Sequence, residues 1–191
     1  ERLWLIEPGK YAMDGCHFVQ GNEFWFCSVR EGNYREIDFY LADCEGSDCS
    51  NWRNAGERLN VELGVGELHL WGDELYFHKG AGDNYDLFVT RRVNGEWQDA
   101  EPLNEFNTRA TEGWPFVSSN GNELWFLRTV NGTPAVYRSR RRGGGWGEEE
   151  LIVSRFAGEP SLDDEGNLYF VHHYFEGGEM LEADLYVAKK K

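Results

Sequence analysis

Gly21-Asn22-Glu23-Phe24-Trp25-Phe26 returns as Gly72-Asp73-Glu74-Leu75-Tyr76-Phe77 and again as Gly121-Asn122-Glu123-Leu124-Trp125-Phe126. A copy one residue shorter follows at Gly166-Asn167-Leu168-Tyr169-Phe170. The four starts lie 51, 49 and 45 residues apart. That is the period of one four-stranded propeller blade. Within each copy, Gly-Asn or Gly-Asp supplies the positive φ of a tight hairpin turn. The apolar and aromatic residues after it suit a pleated, packed strand.

The flanking sequence keeps the same period. A short first strand precedes each turn, at Cys16 to Gln20, Leu68 to Trp71, Phe116 to Ser119 and Ser161 to Asp164. A third strand follows each second one: Asp38-Phe39-Tyr40-Leu41, Asp86-Leu87-Phe88-Val89, Ala135-Val136-Tyr137-Arg138 and Asp184-Leu185-Tyr186-Val187. Trp52, Trp97 and Trp146 each open a fourth strand. No useful length of the chain has helical periodicity. The last copy lacks a fourth strand, and residues 2–8, with Trp4, precede the first copy. The expected fold is therefore all-β: a single small β-propeller over residues 1–191, with four blades of four antiparallel strands and the ring closed by the N-terminal strand. The blades fall at about 12–60, 61–104, 105–153 and 154–191, the last completed by residues 2–8.

Charge and composition narrow the partners. Thirty-four acidic against nineteen basic residues give a net charge of −15, a field that repels phosphate backbones and anionic membranes. Nucleic acid is excluded as a partner on this ground, and the run Arg138-Ser139-Arg140-Arg141-Arg142 reads as a solvated strand end. No apolar run approaches the ~20 residues of a membrane span, so no membrane insertion is expected.

The four cysteines pair by arithmetic. A symmetric turn at Gly21-Asn22 sets Cys16 opposite Cys27, within disulfide range. Cys44 and Cys49 flank a polar loop that a second bridge closes. Two bridges point to an oxidising, extracytoplasmic compartment, periplasmic or secreted. The cysteine spacings do not suit zinc, and the five histidines are scattered, with His172 and His173 pointing to opposite faces of a strand. No metal and no cofactor is expected; a phosphate-cradling loop and a dinucleotide fingerprint are both missing.

The unit Glu96-Trp97, Pro102-Leu103-Asn104, Asn107-Thr108, Glu112, Pro115, Ser118, Asn120-Gly121 and Leu124-Trp125-Phe126 resembles the TolB-like propeller repeat. The last copy, from Glu159-Pro160-Ser161-Leu162 to Asp184-Leu185-Tyr186-Val187, is similar to it as well. In the first two copies Gly15 and Gly66 stand where Pro115 and Pro160 stand, and Phe18 and His69 replace Ser118. The resemblance implies a β-propeller used for extracytoplasmic scaffolding or binding, with no fixed catalytic set.

Function is expected at the channel mouth where the inner strands begin, beside the loops 29–36, 79–85, 128–134 and 172–182. Asp14, Glu112 and Glu159 fall there by alignment, with Glu67 a little deeper. Trp114 offers a ring for stacking on a sugar or peptide, and Arg128 and His172 occupy matching positions for an acidic group. The leading expectation is a non-catalytic binding or scaffold module for a protein or a glycan, with Trp114, Asp14, Glu159, Arg128 and His172 as ligand contacts. The alternative is a glycoside-hydrolase-like enzyme using two of Asp14, Glu112 and Glu159 as acid and base or nucleophile. A structural segment of a larger protein is a third reading.

Overall fold

A computed structural model describes residues 13–60, 64–81, 84–177 and 179–190. Four antiparallel sheets are arranged as a four-bladed β-propeller. Blade 1 holds β1 (Met13–Gln20), β2 (Glu23–Val29), β3 (Asp38–Glu45) and β4 (Asp48–Asn54). One helical turn, α1 (Glu57–Asn60), leads to blade 2 with β5 (Gly64–Trp71), β6 (Glu74–Ala81), β7 (Asn84–Val93) and an outer edge split into β8 (Glu96–Trp97) and β9 (Glu101–Pro102). Blade 3 holds β10 (Glu112–Val117), β11 (Glu123–Val130), β12 (Thr133–Arg142) and β13 (Gly145–Val153). Blade 4 contributes β14 (Ala157–Leu162), β15 (Leu168–Glu176) and β16 (Glu179–Ala188). The predicted closing strand, residues 2–8 with Trp4, lies outside the described residues.

β1, β5, β10 and β14 are the inner strands, packed in succession around the channel. The Gly-Asn and Gly-Asp turns lie at one end of these strands, hereafter the turn face; the strands begin at the other end, the mouth face. The segments 128–134 and 172–182, expected as loops, are mostly strand: β11–β12 and β15–β16 run on as long hairpins. Asn131-Gly132, both at positive φ, closes the former in two residues. This is the primed turn that matches strand twist.

Packing between blades comes from alternating faces of the second and third strands. Trp25, Phe39 and Leu41 of blade 1 bury against Leu68, Leu75 and Phe77 of blade 2. Tyr76, Leu87 and Val89 meet Val117, Leu124 and Phe126 of blade 3. Trp125 and Val136 meet Leu168 and Phe170 of blade 4. Two of the fourth-strand tryptophans serve this packing: Trp97 stands edge-on to Trp25 at 5.8 Å and Trp146 edge-on to Tyr76 at 6.1 Å, while Trp52 packs on Phe24 and Phe26 of its own blade. Full burial of an aromatic ring of this kind is worth about 2–3 kcal/mol, so the blade junctions hold much of the folding energy.

Polar clamps repeat on the turn face. Glu23 of blade 1 takes Arg92 of blade 2 at 2.7 Å, and Glu74 of blade 2 takes Arg141 of blade 3 at 2.8 Å. Each guanidinium also lies over a tryptophan, Arg92 on Trp97 and Arg141 on Trp146. Gln20 exchanges two hydrogen bonds with the backbone of Gly72. Trp71 donates to Ser119 O at 3.1 Å and lies against Gly121, where a Cβ would come within 2.1 Å of the indole. Trp71 is thus a blade clamp.

The outer edges use asparagine as a substitute peptide group. Asn60 accepts from Phe39 N and donates to Phe39 O; Asn107 does the same at Leu87. The arginine run of β12 is spent on ion pairs: Arg138 and Arg140 on Glu123 and Glu150, Arg141 on Glu74.

Both disulfides are present, Cys16–Cys27 and Cys44–Cys49. Cys44 and Cys49 are opposed partners of the β3–β4 hairpin. Cys16 and Cys27 are not directly opposed, contrary to the symmetric-turn expectation. Cys27 pairs with Gly15, and the register slips by one before Phe18.

Candidate functional site

The same slip occurs in all four blades. Between Gly15 and Phe18, Gly66 and Leu68, Gly113 and Phe116, and Gly158 and Ser161, one extra residue enters the inner strand. Each bulge opens with a glycine, and the next residue takes positive φ: Cys16 at 57°, Glu67 at 34°, Trp114 at 51° and Glu159 at 54°. Three of the other four non-glycine residues at positive φ among the described residues are asparagines, Asn51, Asn94 and Asn131. Asparagine tolerates that conformation; cysteine, glutamate and tryptophan pay roughly 1–2 kcal/mol each for it. Strain held at one position in four repeats marks this ring as the candidate site.

Two of the glycines are needed for a separate reason. His78, on β6, lies between Gly66 and Gly113, whose Cβ atoms would fall 2.5 and 2.7 Å from its ring nitrogens. His78 Nδ1 accepts from Trp114 N at 3.3 Å, and its ring packs on Trp114 and Tyr85 at 4.9 and 4.7 Å. Burial drives the His78 pKa down to about 3, so the imidazole is neutral. It is a wedge between blades 2 and 3 that props Trp114 at the mouth.

Glu67 is the most perturbed acid of the ring. Burial, aided by the charge of Glu159, pushes its pKa from 4.5 to about 7. Its Oε1 lies 3.3 Å from Cys16 Sγ. A bridged sulfur has no proton to give, so this contact is made by a protonated Glu67 donating to a weak acceptor. Glu159 is exposed and faces His173 Nε2 at 3.9 Å. The ring thus brings together two carboxylates, one indole and one disulfide.

The predicted site residues divide on this geometry. Glu159 and Trp114 belong to the ring, and so does Glu67, which sits level with them and not deeper. Asp14 and Glu112 do not: they stand two residues earlier, at the level of Val65 and Ala157. Asp14 is held by Arg30. Glu112 is fully buried, accepting from Thr108 N and Oγ1 and from Arg128 Nε at 2.7 Å. Arg128 is itself buried, bound to Glu112, Glu149 and Phe106 O. Glu112 and Arg128 are thus closed off from a ligand, and Asp14 is buried with its Oδ1 engaged by Arg30. His172, opposite Ala157, is half-buried against Tyr186 and Phe156.

The register also corrects the alignment of the repeats. Gly15 and Gly66 match Gly113 and Gly158, while His17 and Leu68 match Pro115 and Pro160; Phe18 and His69 match Phe116 and Ser161.

No protein-family model and no curated protein matches the chain. The site therefore rests on its own geometry. Among the described residues no group of three or more His, Cys, Asp or Glu is placed to hold a metal ion, and no helix is long and apolar enough to cross a membrane.

The sequence carried two signals for the ring that spacing by turns alone does not reveal. One is the glycine recurring at 15, 66, 113 and 158. The other is the residue after it, whose type varies while its place does not.

Proposed function

We propose that this protein is a non-catalytic binding module, with a TolB-like mode of use as an extracytoplasmic scaffold, engaging a protein or glycan at the mouth ring of Trp114, Glu159 and Glu67. One observation carries this reading: two of the three acids aligned for catalysis, Asp14 and Glu112, are consumed by Arg30, Arg128 and Thr108. An acid already bonded to arginine does not shuttle protons, whereas a strained, propped indole beside a carboxylate suits stacking and hydrogen bonding to a ligand. The two disulfides support an oxidising compartment.

A second reading has a specific observation in its favour. Glu67, protonated near neutrality, and Glu159, solvated, are the unequal pair that glycoside hydrolysis uses as acid and nucleophile or base. One experiment separates the two. The protein is incubated with a mixed polysaccharide and glycopeptide library, and bound and soluble fractions are followed by mass spectrometry. Retention without cleavage, lost in Trp114→Ala, supports the binding module. New reducing ends that vanish in Glu67→Gln and Glu159→Gln replace it with a hydrolase.

A further inference from the structure

The two bridges differ in place and in company. Cys44–Cys49 closes the β3–β4 hairpin on the outer side of blade 1, between directly opposed partners. Cys16–Cys27 spans the bulge of an inner strand. Its halves are unequal: Cys27 is buried at 4% exposure, while Cys16 is partly exposed, at left-handed φ in the mouth ring. A carboxyl from the next blade meets the less buried cysteine, with Glu67 Oε1 3.3 Å from Cys16 Sγ. Cys16 and Glu67 follow matching glycines in successive repeats, so the register that forms the ring also forms this contact.

The fold draws no support from this acid. Among the described residues the Cys16 sulfur is its hydrogen-bond partner, and no cation offsets its burial. Glu159 of β14 is the charge that acts on it, and His173 of β15 stands beside Glu159. The other charged and titratable neighbours are engaged elsewhere: Asp14 of β1 by Arg30, Glu112 of β10 by Arg128, and Lys79 of β6 over Phe88. His78 of β6 is neutral. A carboxyl that keeps its proton to about pH 7 beside a disulfide sulfur is placed as a proton donor to that sulfur.

From this contact we infer a redox activity: Cys16–Cys27 is an exchangeable disulfide that oxidises a dithiol, with Glu67 as the acid that protonates Cys16 Sγ. A substrate thiolate, its proton lost to solvent, attacks Cys16 Sγ. The bridge breaks, and Cys27 leaves as a thiolate that takes the proton of the substrate's second thiol. The second substrate thiolate then attacks the substrate sulfur of the mixed disulfide. The bond to Cys16 breaks, and Cys16 leaves as a thiolate that takes the Glu67 proton. The substrate has become a disulfide, the protein has gained two electrons and two thiols, and Glu67 is left ionised. The new Cys16 thiol donates to that carboxylate, a bond the oxidised protein lacks. Glu67 is therefore a stronger acid in the reduced protein, and reduction expels its proton. The step uses one edge of the mouth ring and needs neither Trp114 nor the binding reading.

Equilibration of the folded protein with mixtures of reduced and oxidised dithiothreitol, from about pH 5 to pH 8, tests the inference. Alkylation stops the exchange, and peptide mass spectrometry reads each bridge separately. Both couples take up two protons, so an ordinary disulfide gives an exchange constant independent of pH. For Cys16–Cys27 the constant should rise about tenfold with pH, the factor for one hydrogen bond to a charged group, and level off above about pH 7. Glu67→Gln should flatten that rise, and Cys44–Cys49 should be flat in both proteins. A flat wild-type constant, or a rise that survives Glu67→Gln, would overturn the role of Glu67. A Cys16–Cys27 bridge that dithiothreitol opens only in urea would be structural, and the activity would fall with it.

Discussion

Substituting Glu67 by glutamine isolates what it costs the fold to hold a carboxyl at the mouth ring. In the native state this group titrates at about 7 and in the unfolded chain near its ordinary 4.5. Between those values the native protein keeps a proton that the unfolded chain has released, so wild-type stability falls as pH rises through the window. Below about pH 4.5 both states are protonated and the group contributes nothing. Above pH 7 the full penalty is present, about 3 kcal/mol from the gap between the two values. Glutamine keeps the shape, the positive φ and a hydrogen-bond donor toward Cys16 Sγ, but never ionises. Urea denaturation without reductant, at about pH 4, 6 and 8, should therefore show the variant and wild type nearly equal in acid. At pH 8 the variant should be more stable by about 3 kcal/mol, with the difference growing in between. A stability difference independent of pH would refute the reasoning, since a packing effect has no proton in it. A variant stabilised in acid but not at pH 8 would reverse the sign and refute it as well.

Two further outcomes follow from the buried polar groups and the bridges. Arg128→Met strands Glu112 at zero exposure with only Thr108 to hold it and should cost about 3–5 kcal/mol in denaturant melts; adding Glu112→Gln should recover a measurable part, and no recovery would argue that packing, not charge, was lost. Reduction should lower stability by about 3 kcal/mol for the Cys16–Cys27 loop and about 2 for Cys44–Cys49, from loop-closure entropy at sequence separations of 11 and 5; an intact mass showing four alkylatable thiols in native protein would remove the bridges and the oxidising compartment together.

Blade count and strand order were legible because the turn chemistry is local. Gly21-Asn22, Gly72-Asp73 and Gly121-Asn122 need positive φ, and only a few residue types announce it. The sorting of tryptophans was legible for the same kind of reason: Trp97 and Trp146 recur in phase with the strands they pack on. The mouth was legible only in part. Trp114 and Glu159 were placed at the mouth, but the bulge that presents them is announced only by the glycine before it, since Cys16, Glu67, Trp114 and Glu159 are not residues that advertise a left-handed backbone. Counting inward from the turn therefore misplaced the acids, making Asp14 and Glu112 ring members and sinking Glu67 below it. Burial decided the rest. Nothing in the neighbours of Glu112 or Arg128 along the chain says that each will be closed over by the other, because their partners come from 16 and 21 residues away.

The four-fold bulge separates what the protein is from what it can meet. Backbone register, the glycine before it and the blade packing behind it are common to all four repeats, yet the presented side chain is a cysteine, a glutamate, a tryptophan and a glutamate in turn. A single codon change at 67, 114 or 159 rewrites one quarter of the rim while leaving the buried clusters between blades intact. On the binding reading proposed above, lineages of such a chain can exchange ligands by substitution at three addresses, without first having to survive a weakened core.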